Sequence, residues 1–182
     1  FKRLVVKSFD ELLQADDAPI DIDVTYRDIG MIMFTSGTTG PSKGVLMPHG
    51  HLFLFAFSMQ SHMRLDEHDR YYICMPLFHA QGSLMQFYAS FLGGGTAVLV
   101  KQFRASSWID DICKYQATVS NTLGVMSDFI LRQPAAPSDR DNRLRLLCAV
   151  PVVEETLQAF RDRFGVPKFN ELFGMTECNI PV

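Results

Sequence analysis

Short apolar runs and helix-length segments alternate about five times along this chain. That alternation limits its possible folds more than any other feature. Strand-like runs occur at Tyr71–Met75, Thr96–Val100, Ala117–Thr122, Leu144–Val150 and Val166–Phe173. Between them lie helical segments at Gln81–Leu92, one capped by Ser106 or Ser107, and others at Val125–Arg132 and Val153–Phe164. The second of these carries Trp108, Ile109, Ile112 and Tyr115 on one face, and the last turns Leu157, Phe160 and Phe164 inward. Pro76, Gly93-Gly94-Gly95 and the polar stretch Pro134–Asn142 punctuate the pattern. His49–Met63 reads as a further, strongly apolar helix, and Asp66–Asp69 as a solvated turn. Upstream, Leu4–Val6 suggests a short strand, Ser8–Glu11 a capping box opening a short helix, and the acidic residues 15–27 a loop. The expectation is an α/β fold: a mostly parallel sheet with helices on both faces. Ligands on such sheets sit at the carboxyl ends of strands. The unusual loops, after Phe34, Met75, Val150 and Phe173, are expected there. No repeat or low-complexity segment is visible.

Composition narrows the function classes. A length of 182 residues with 47% hydrophobic content suits one sizeable core, with room for two subdomains. A net charge of −3 gives no electrostatic footprint for nucleic acid or an anionic membrane. The longest apolar run, around Leu52–Phe57, falls far short of the ~20 residues that span a bilayer. Cysteines at 74, 113, 148 and 178 form no C-x-x-C pair, so neither a zinc site nor a redox couple is indicated. Reduced, partly buried thiols in a cytoplasmic protein are the plain reading. The chain opens at Phe1 without an initiator methionine and stops just after a motif, as expected of a piece of a longer protein.

The segment Phe34-Thr-Ser-Gly-Thr-Thr-Gly-Pro-Ser-Lys-Gly44 follows a short apolar run, Gly30–Phe34, that reads as a buried strand end. Its glycines allow tight turns and close approach to another group. Successive backbone N–H groups there can form an anion-binding nest. Hydroxyls add rotatable donors, and Lys43 adds a mobile positive charge. Together they suit a polyphosphate such as ATP. The plain alternative is a flexible surface turn rich in Gly and Thr. A Walker A loop fits poorly, because Ser42 stands at its second glycine and Gly44 at its magnesium-binding hydroxyl.

Two later stretches carry further polar groups. Pro76-Leu-Phe-His79-Ala-Gln-Gly82 runs from a strand into a helix. By position, His79 fits a donor or gate in a pocket, and equally a histidine hydrogen-bonded in a helix-capping loop. Glu171-Leu-Phe-Gly174-Met-Thr176-Glu177 ends the last strand. Gly174 permits a turn, Thr176 offers a hydroxyl, Glu177 a hard oxygen for Mg²⁺, and Phe173 a ring to stack on a base. The plain alternative there is a strand-to-turn segment with a solvated glutamate.

In this order, the three stretches resemble the adenylate-forming superfamily of acyl-CoA synthetases, luciferases and peptide-synthetase adenylation domains. The first matches its phosphate loop T-S-G-T-T-G-x-x-K-G, with Ser42 where proline is commoner. The second matches P-x-F-H-x-x-G, and the third Y-G-M-T-E with Phe173 for tyrosine. The resemblance spans roughly residues 25 to 178. It implies ATP and a carboxylate reacting to an acyl adenylate and pyrophosphate, then acyl transfer to a thiol, usually coenzyme A. It further implies that Thr35, Ser36, Gly37, Thr38, Thr39, Gly40 and Lys43 hold the β- and γ-phosphates. Thr176 would contact the α-phosphate, Glu177 would hold Mg²⁺, and His79 would face the acyl carboxylate. Val150, Pro151, Phe173, Gly174 and Met175 would complete the nucleotide site.

Phe78-His79-Ala80 lacks the acidic residue that peptide-synthetase domains usually place there for a substrate amine, which favours a plain acyl or aryl acid. The stretch from Lys114 to Pro134 looks most like the crotonobetaine/carnitine-CoA ligase group. Cys148-Ala-Val-Pro151 departs from the family's Gly-Gly-Ala-Pro, so Val150 is expected to tighten the base pocket. Nothing matches the family's ribose-binding aspartate, its hinge or its C-terminal lysine. The expectation is therefore one α/β unit, residues 1–182, of the family's N-terminal domain, without the upstream part or C-terminal domain and inactive by itself. A non-catalytic nucleotide- or acyl-binding module is the alternative.

Overall fold

The structure is a computed structural model that describes residues 8–14, 18–19, 21–35, 41–151 and 153–178, with Phe9 and Leu12 described by their backbone. The expected strand at Leu4–Val6 lies outside these residues. The first described element is helix α1, Phe9–Leu12. The Ser8 hydroxyl accepts from Glu11 N–H at 3.2 Å, and the Glu11 carboxylate accepts from Ser8 N–H at 2.7 Å. That reciprocal pair is the expected capping box.

Five strands form one parallel sheet in the order β4-β3-β5-β6-β7. They are β3 (Arg70–Ile73), β4 (Thr96–Leu99), β5 (Val119–Leu123), β6 (Leu146–Val150) and β7 (Phe169–Asn170). Side chains alternate between two cores. Tyr71, Ile73, Val119, Leu146 and Cys148 join the layer of helix α2 (His49–Met63) and the helical segment 81–92. Tyr72 and Leu147 face α4 (Trp108–Tyr115), α5 (Gly124–Leu131) and α6 (Glu154–Phe164). Helices thus cover both faces, as the alternating sequence predicts. On the second face the Trp108 ring meets Phe160 and Phe164 edge-on, at 6.0 and 5.4 Å between centroids.

Four expectations are corrected. The flanks of the glycine-rich segment pair with each other: β1 (Ile29–Thr35) and β2 (Lys43–Pro48) form an antiparallel hairpin with Thr35 opposite Lys43. The strand at 43–48 was not expected, because a glycine, a proline and only three apolar residues, Val45, Leu46 and Met47, give a weak strand pattern. The segment after Phe34 therefore does not leave the carboxyl edge of the parallel sheet. The run Gly30–Phe34 is not buried either. Met33 points inward, while Ile32 and Phe34 are 53% and 75% exposed.

The second correction concerns the last strand, which shrinks from Val166–Phe173 to Phe169–Asn170, paired only with Leu147 and Cys148 at the sheet edge. The third is that Gln81–Tyr88 winds as a π-helix before α3 (Ala89–Leu92), a difference that residue periodicity does not reveal. The fourth is the start of α4. A 3₁₀ turn, Ala105–Ser107, leads in, and the Ser107 hydroxyl reaches Asp111 at 3.5 Å and makes no cap.

Two arginines tie down the other end of the layers. Arg145 donates to both carboxylate oxygens of Asp69, at 2.8 and 2.6 Å, and to the carbonyls of Met63 and Arg64 where α2 ends. Thr118 also donates to Asp69, at 2.7 Å. Burial works to raise the Asp69 pKa. The Arg145 and Thr118 hydrogen bonds outweigh it and hold the carboxyl below the usual range. Arg163 pairs with Asp139 at 2.6 Å and donates to the carbonyls of Leu131, Gln133 and Pro134, closing the end of α5. The cysteines are free thiols: Cys74 and Cys148 are buried and Cys178 is exposed. Burial pushes Cys148 up to about 12.

Candidate active site

Strands β3, β5 and β6 lie side by side, and β3 sends its chain to one face while β5 sends its chain to the other. That reversal leaves a crevice at their carboxyl ends, where doubly wound sheets bind ligands. The loop after β3 carries His79. Its N–H donates to the Pro76 carbonyl at 3.1 Å, closing a turn. Its Nδ1 accepts the N–H of Gln81 at 3.2 Å, and its carbonyl accepts both the N–H and the hydroxyl of Ser83 at 3.0 Å. His79 therefore caps the π-helix, as the plain alternative held. The cap also fixes the tautomer: with Nδ1 accepting, the neutral ring carries its proton on Nε2 and presents a donor there. The two readings of His79 are compatible.

Gly82 explains how this loop closes. A Cβ at that position would lie 2.4 Å from the Pro76 carbonyl oxygen and 2.7 Å from that of Met75. Only a residue without a side chain lets the helix start so close to the strand end. The sequence marks this glycine as part of a motif, but its reason appears only in three dimensions. Sequence reasoning also missed the loop after β5. Leu123 pairs with Val150, and a Cβ added at Gly124 would lie 3.4 Å from the Pro151 carbonyl oxygen, so the two backbones run close together. The turn from β5 into α5 thus shares the crevice edge with Val150 and Pro151.

Beyond β7, Phe173 is 76% exposed, and Met175 and Cys178 exchange backbone hydrogen bonds at 3.3 and 3.1 Å. Thr176 and Glu177 occupy the tip of that turn, Thr176 half-buried and Glu177 exposed. Among the described residues no three His, Cys, Asp or Glu side chains gather around a metal position. A magnesium ion here would take Glu177 and fill its other positions with phosphate oxygens and water, which is how that ion commonly binds. Thr35 and Lys43 face each other across the hairpin. Ser36, Gly37, Thr38, Thr39 and Gly40 lie outside the described residues. The structure thus brings His79, Val150 and Pro151 to one edge, and places Thr35 and Lys43 on a separate hairpin.

The sequence profile of the family of AMP-binding enzymes matches residues 4–182. The chain belongs to that family. Human long-chain fatty acid transport protein 1 is 33% identical over 150 residues, covering 82% of this chain and 23% of the relative. The crotonobetaine/carnitine–CoA ligase of Salmonella paratyphi B is 35% identical over 156 residues, covering 85% of this chain and 30% of the relative. Among solved structures, O-succinylbenzoate coenzyme A synthetase from Bacillus subtilis, in complex with ATP and magnesium ion, superposes with a TM-score of 0.73 at 29% identity. That match covers 92% of this chain and 35% of the other. The chain therefore spans about a quarter to a third of the length of these relatives. Among the described residues no helix is long and apolar enough to cross a membrane.

Proposed function

We propose that this chain is the ATP- and acid-binding part of an AMP-forming acyl-CoA ligase of the cytoplasm. The match to the AMP-binding enzymes over residues 4–182 carries the reading. The placement of His79, Val150 and Pro151 at one sheet edge supports it. In the first step the substrate carboxylate attacks the α-phosphorus of ATP, and pyrophosphate leaves. In the second, the thiol of coenzyme A displaces AMP from the acyl group.

Little covalent chemistry falls to the protein in either step; positioning and charge neutralisation do the work. His79 Nε2–H donates to the acid's carboxylate, held by its own cap at Nδ1. Thr35, Lys43 and the segment between them take the β- and γ-phosphates. Thr176 donates to the α-phosphate, and Phe173 with Gly174 and Met175 lies along the nucleotide. Val150 and Pro151 border the base. Bound at Glu177, magnesium would neutralise phosphate charge. Residues 1–182 form one part of the N-terminal domain in this reading, and the remaining groups come from the rest of the longer protein.

The test is acid-dependent pyrophosphate release by the full-length protein, with loss of free coenzyme A thiol measured alongside. Both signals are expected with at least one carboxylic acid. ATP binding without pyrophosphate release across a broad panel of acids would instead support a non-catalytic module.

A further inference from the structure

A cavity of about 180 Å³ opens on the sheet face opposite α2, where α4 and the loop after α5 meet. Trp108, Ile130 and Phe164 form its floor, all essentially inaccessible, and the Trp108 and Phe164 rings meet edge-on. None of His79, Val150 and Pro151 lines it. Helix α5 leaves the crevice at Gly124 and reaches the cavity at Ile130, about 9 Å along its axis. The walls are negative. Asp110 and Asp139 line the cavity with a single cation, Arg163, and that cation is already committed. Its Nε donates to Asp139 at 2.6 Å, and its two Nη atoms donate to the carbonyls of Leu131, Gln133 and Pro134. Asp139, 3% exposed, accepts from Arg163 and from the Ala136 N–H through Oδ2, and its Oδ1 accepts from no described residue. Asp110 has no ion-pair partner among the described residues. The Cys113 thiol, in the same wall, lies above its usual range through burial first and then through the charges of Asp110, Asp141 and Asp139.

We propose that this cavity is a second binding site, for a small aromatic amine in its charged form. One ring sits on Trp108, Ile130 and Phe164, and an ammonium group on a short arm reaches Asp110 and Oδ1 of Asp139. The volume sets the size: a dry cavity of ~150 Å³ holds one benzene, so this one takes a single ring with a short arm. The floor favours an aromatic body. Two edge-on rings already form it, and the buried Trp108 indole N–H, which has no acceptor among the described residues, can be met by the π-face of a third. The charge selects the arm. An anion in the same place meets two carboxylates and finds no uncommitted cation. A bare metal ion is disfavoured too, since among the described residues no three His, Cys, Asp or Glu side chains converge. A neutral ring of the same shape keeps the floor contacts but loses the pairing, which returns at most about fivefold at a partly solvated carboxylate. None of this depends on the ligase reading.

The experiment titrates 4-fluorobenzylamine and 4-fluorobenzyl alcohol against the full-length protein at pH 7, reading fluorine relaxation of the probe. For a probe of this size the amine should bind with a Kd on the order of 1 mM, and the alcohol about fivefold more weakly. Asp110→Asn, a change at an exposed position, should weaken the amine toward the level of the alcohol and leave the alcohol unchanged. Ala136→Trp, at the exposed rim, should weaken both probes at least tenfold with urea unfolding unchanged. If that variant does not fold, Ser138→Trp on the same rim takes its place. Saturating Mg·ATP should leave both titrations unchanged. Equal affinity for amine and alcohol, full binding in the rim variant, or displacement by Mg·ATP would each overturn the proposal; no binding of either probe would do the same.

Discussion

Alanine at Gly82 tests how the crevice is positioned. The new Cβ would sit 2.4 Å from the Pro76 oxygen, 2.7 Å from the Met75 oxygen and 2.8 Å from the Pro76 carbonyl carbon. Non-bonded carbon and oxygen atoms settle at roughly 3.2 Å or more, so the overlap is about 0.8 Å. All three obstacles are backbone, and none can swing aside as a side chain would. Overpacking of this kind costs about 1–3 kcal/mol, and rigid walls put this case near the upper end. The gain from replacing a helical glycine by alanine, about 0.4–1 kcal/mol, offsets only part of it. The chain relieves the clash by moving the start of the π-helix away from β3, and His79 moves with it. A displacement near 1 Å at a positioning group costs on the order of 100-fold in rate. Urea unfolding should show a loss of about 2 kcal/mol, and acid-dependent pyrophosphate release should fall 10- to 100-fold. Gly124→Ala is the control for stability, since its Cβ would meet Pro151 at an ordinary 3.4–3.5 Å. Its unfolding free energy should stay within about 0.5 kcal/mol of wild type. A Gly82→Ala protein as stable and as active as wild type would refute the account of the loop.

Further outcomes follow from the same structure. Lys43→Ala and Glu177→Gln in the full-length protein should each weaken adenylation at limiting Mg·ATP by about ten- to a hundredfold, as loss of a charge-assisted contact does; wild-type rates would remove both role assignments. His79→Ala should change acid selectivity or the balance of the two half-reactions, and direct titration should show Mg·ATP affinity nearly unchanged. The isolated 182-residue chain should catalyse ATP–pyrophosphate exchange far below the full-length rate; equal rates would show that the remaining protein is dispensable. Asp69→Asn should cost about 2–3 kcal/mol in urea unfolding, a buried pair discounted for the partial exposure of Arg145. Because the folded Asp69 pKa is depressed, its stabilisation is full above the unfolded value near 4 and fades as pH falls through the folded value. The difference between wild type and Asp69→Asn should therefore shrink below pH 4, and a constant difference from pH 7 to pH 2 would contradict the pairing.

Sequence alone made the parallel sheet legible because most of its strands are buried on both faces. Tyr72, Ile73, Leu147 and Cys148 are all essentially inaccessible, and such strands appear as unbroken apolar runs. Strand β5 is the exception: Ser120, Asn121 and Thr122 are polar yet buried. It remained legible because the apolar residues Val119 and Leu123 flank its polar run. Some of its polar groups find partners in the fold: Tyr71 donates to the Asn121 side-chain oxygen at 2.5 Å and Ser127 donates to Thr122 at 2.8 Å, while the Ser120 hydroxyl and the Asn121 amide nitrogen are buried without one among the described residues. The hairpin was not legible, since its pairing joins two short runs across a glycine-rich segment that looks like one long loop. The shortened β7 was not legible either, because an edge strand's length depends on its single neighbour and not on its own residues.

The candidate site shows the same division between chemistry and geometry. Residue types suggested which groups could meet a phosphate, a carboxylate or a metal, and the order of the three motifs suggested the family. Residue types did not explain why Gly82 stands three residues after His79. Nor did they show that His79 is both cap and donor. The explanation lies in two carbonyl oxygens, of Met75 and Pro76, that approach the helix start closer than any Cβ allows. Once the helix starts there, the Gln81 N–H reaches Nδ1, and the proton of the neutral ring is left on Nε2. A glycine with no chemistry of its own thus decides which nitrogen of the histidine is left free to donate. That dependence makes the loop a single unit, and substitutions at 76, 79 and 82 should behave non-additively.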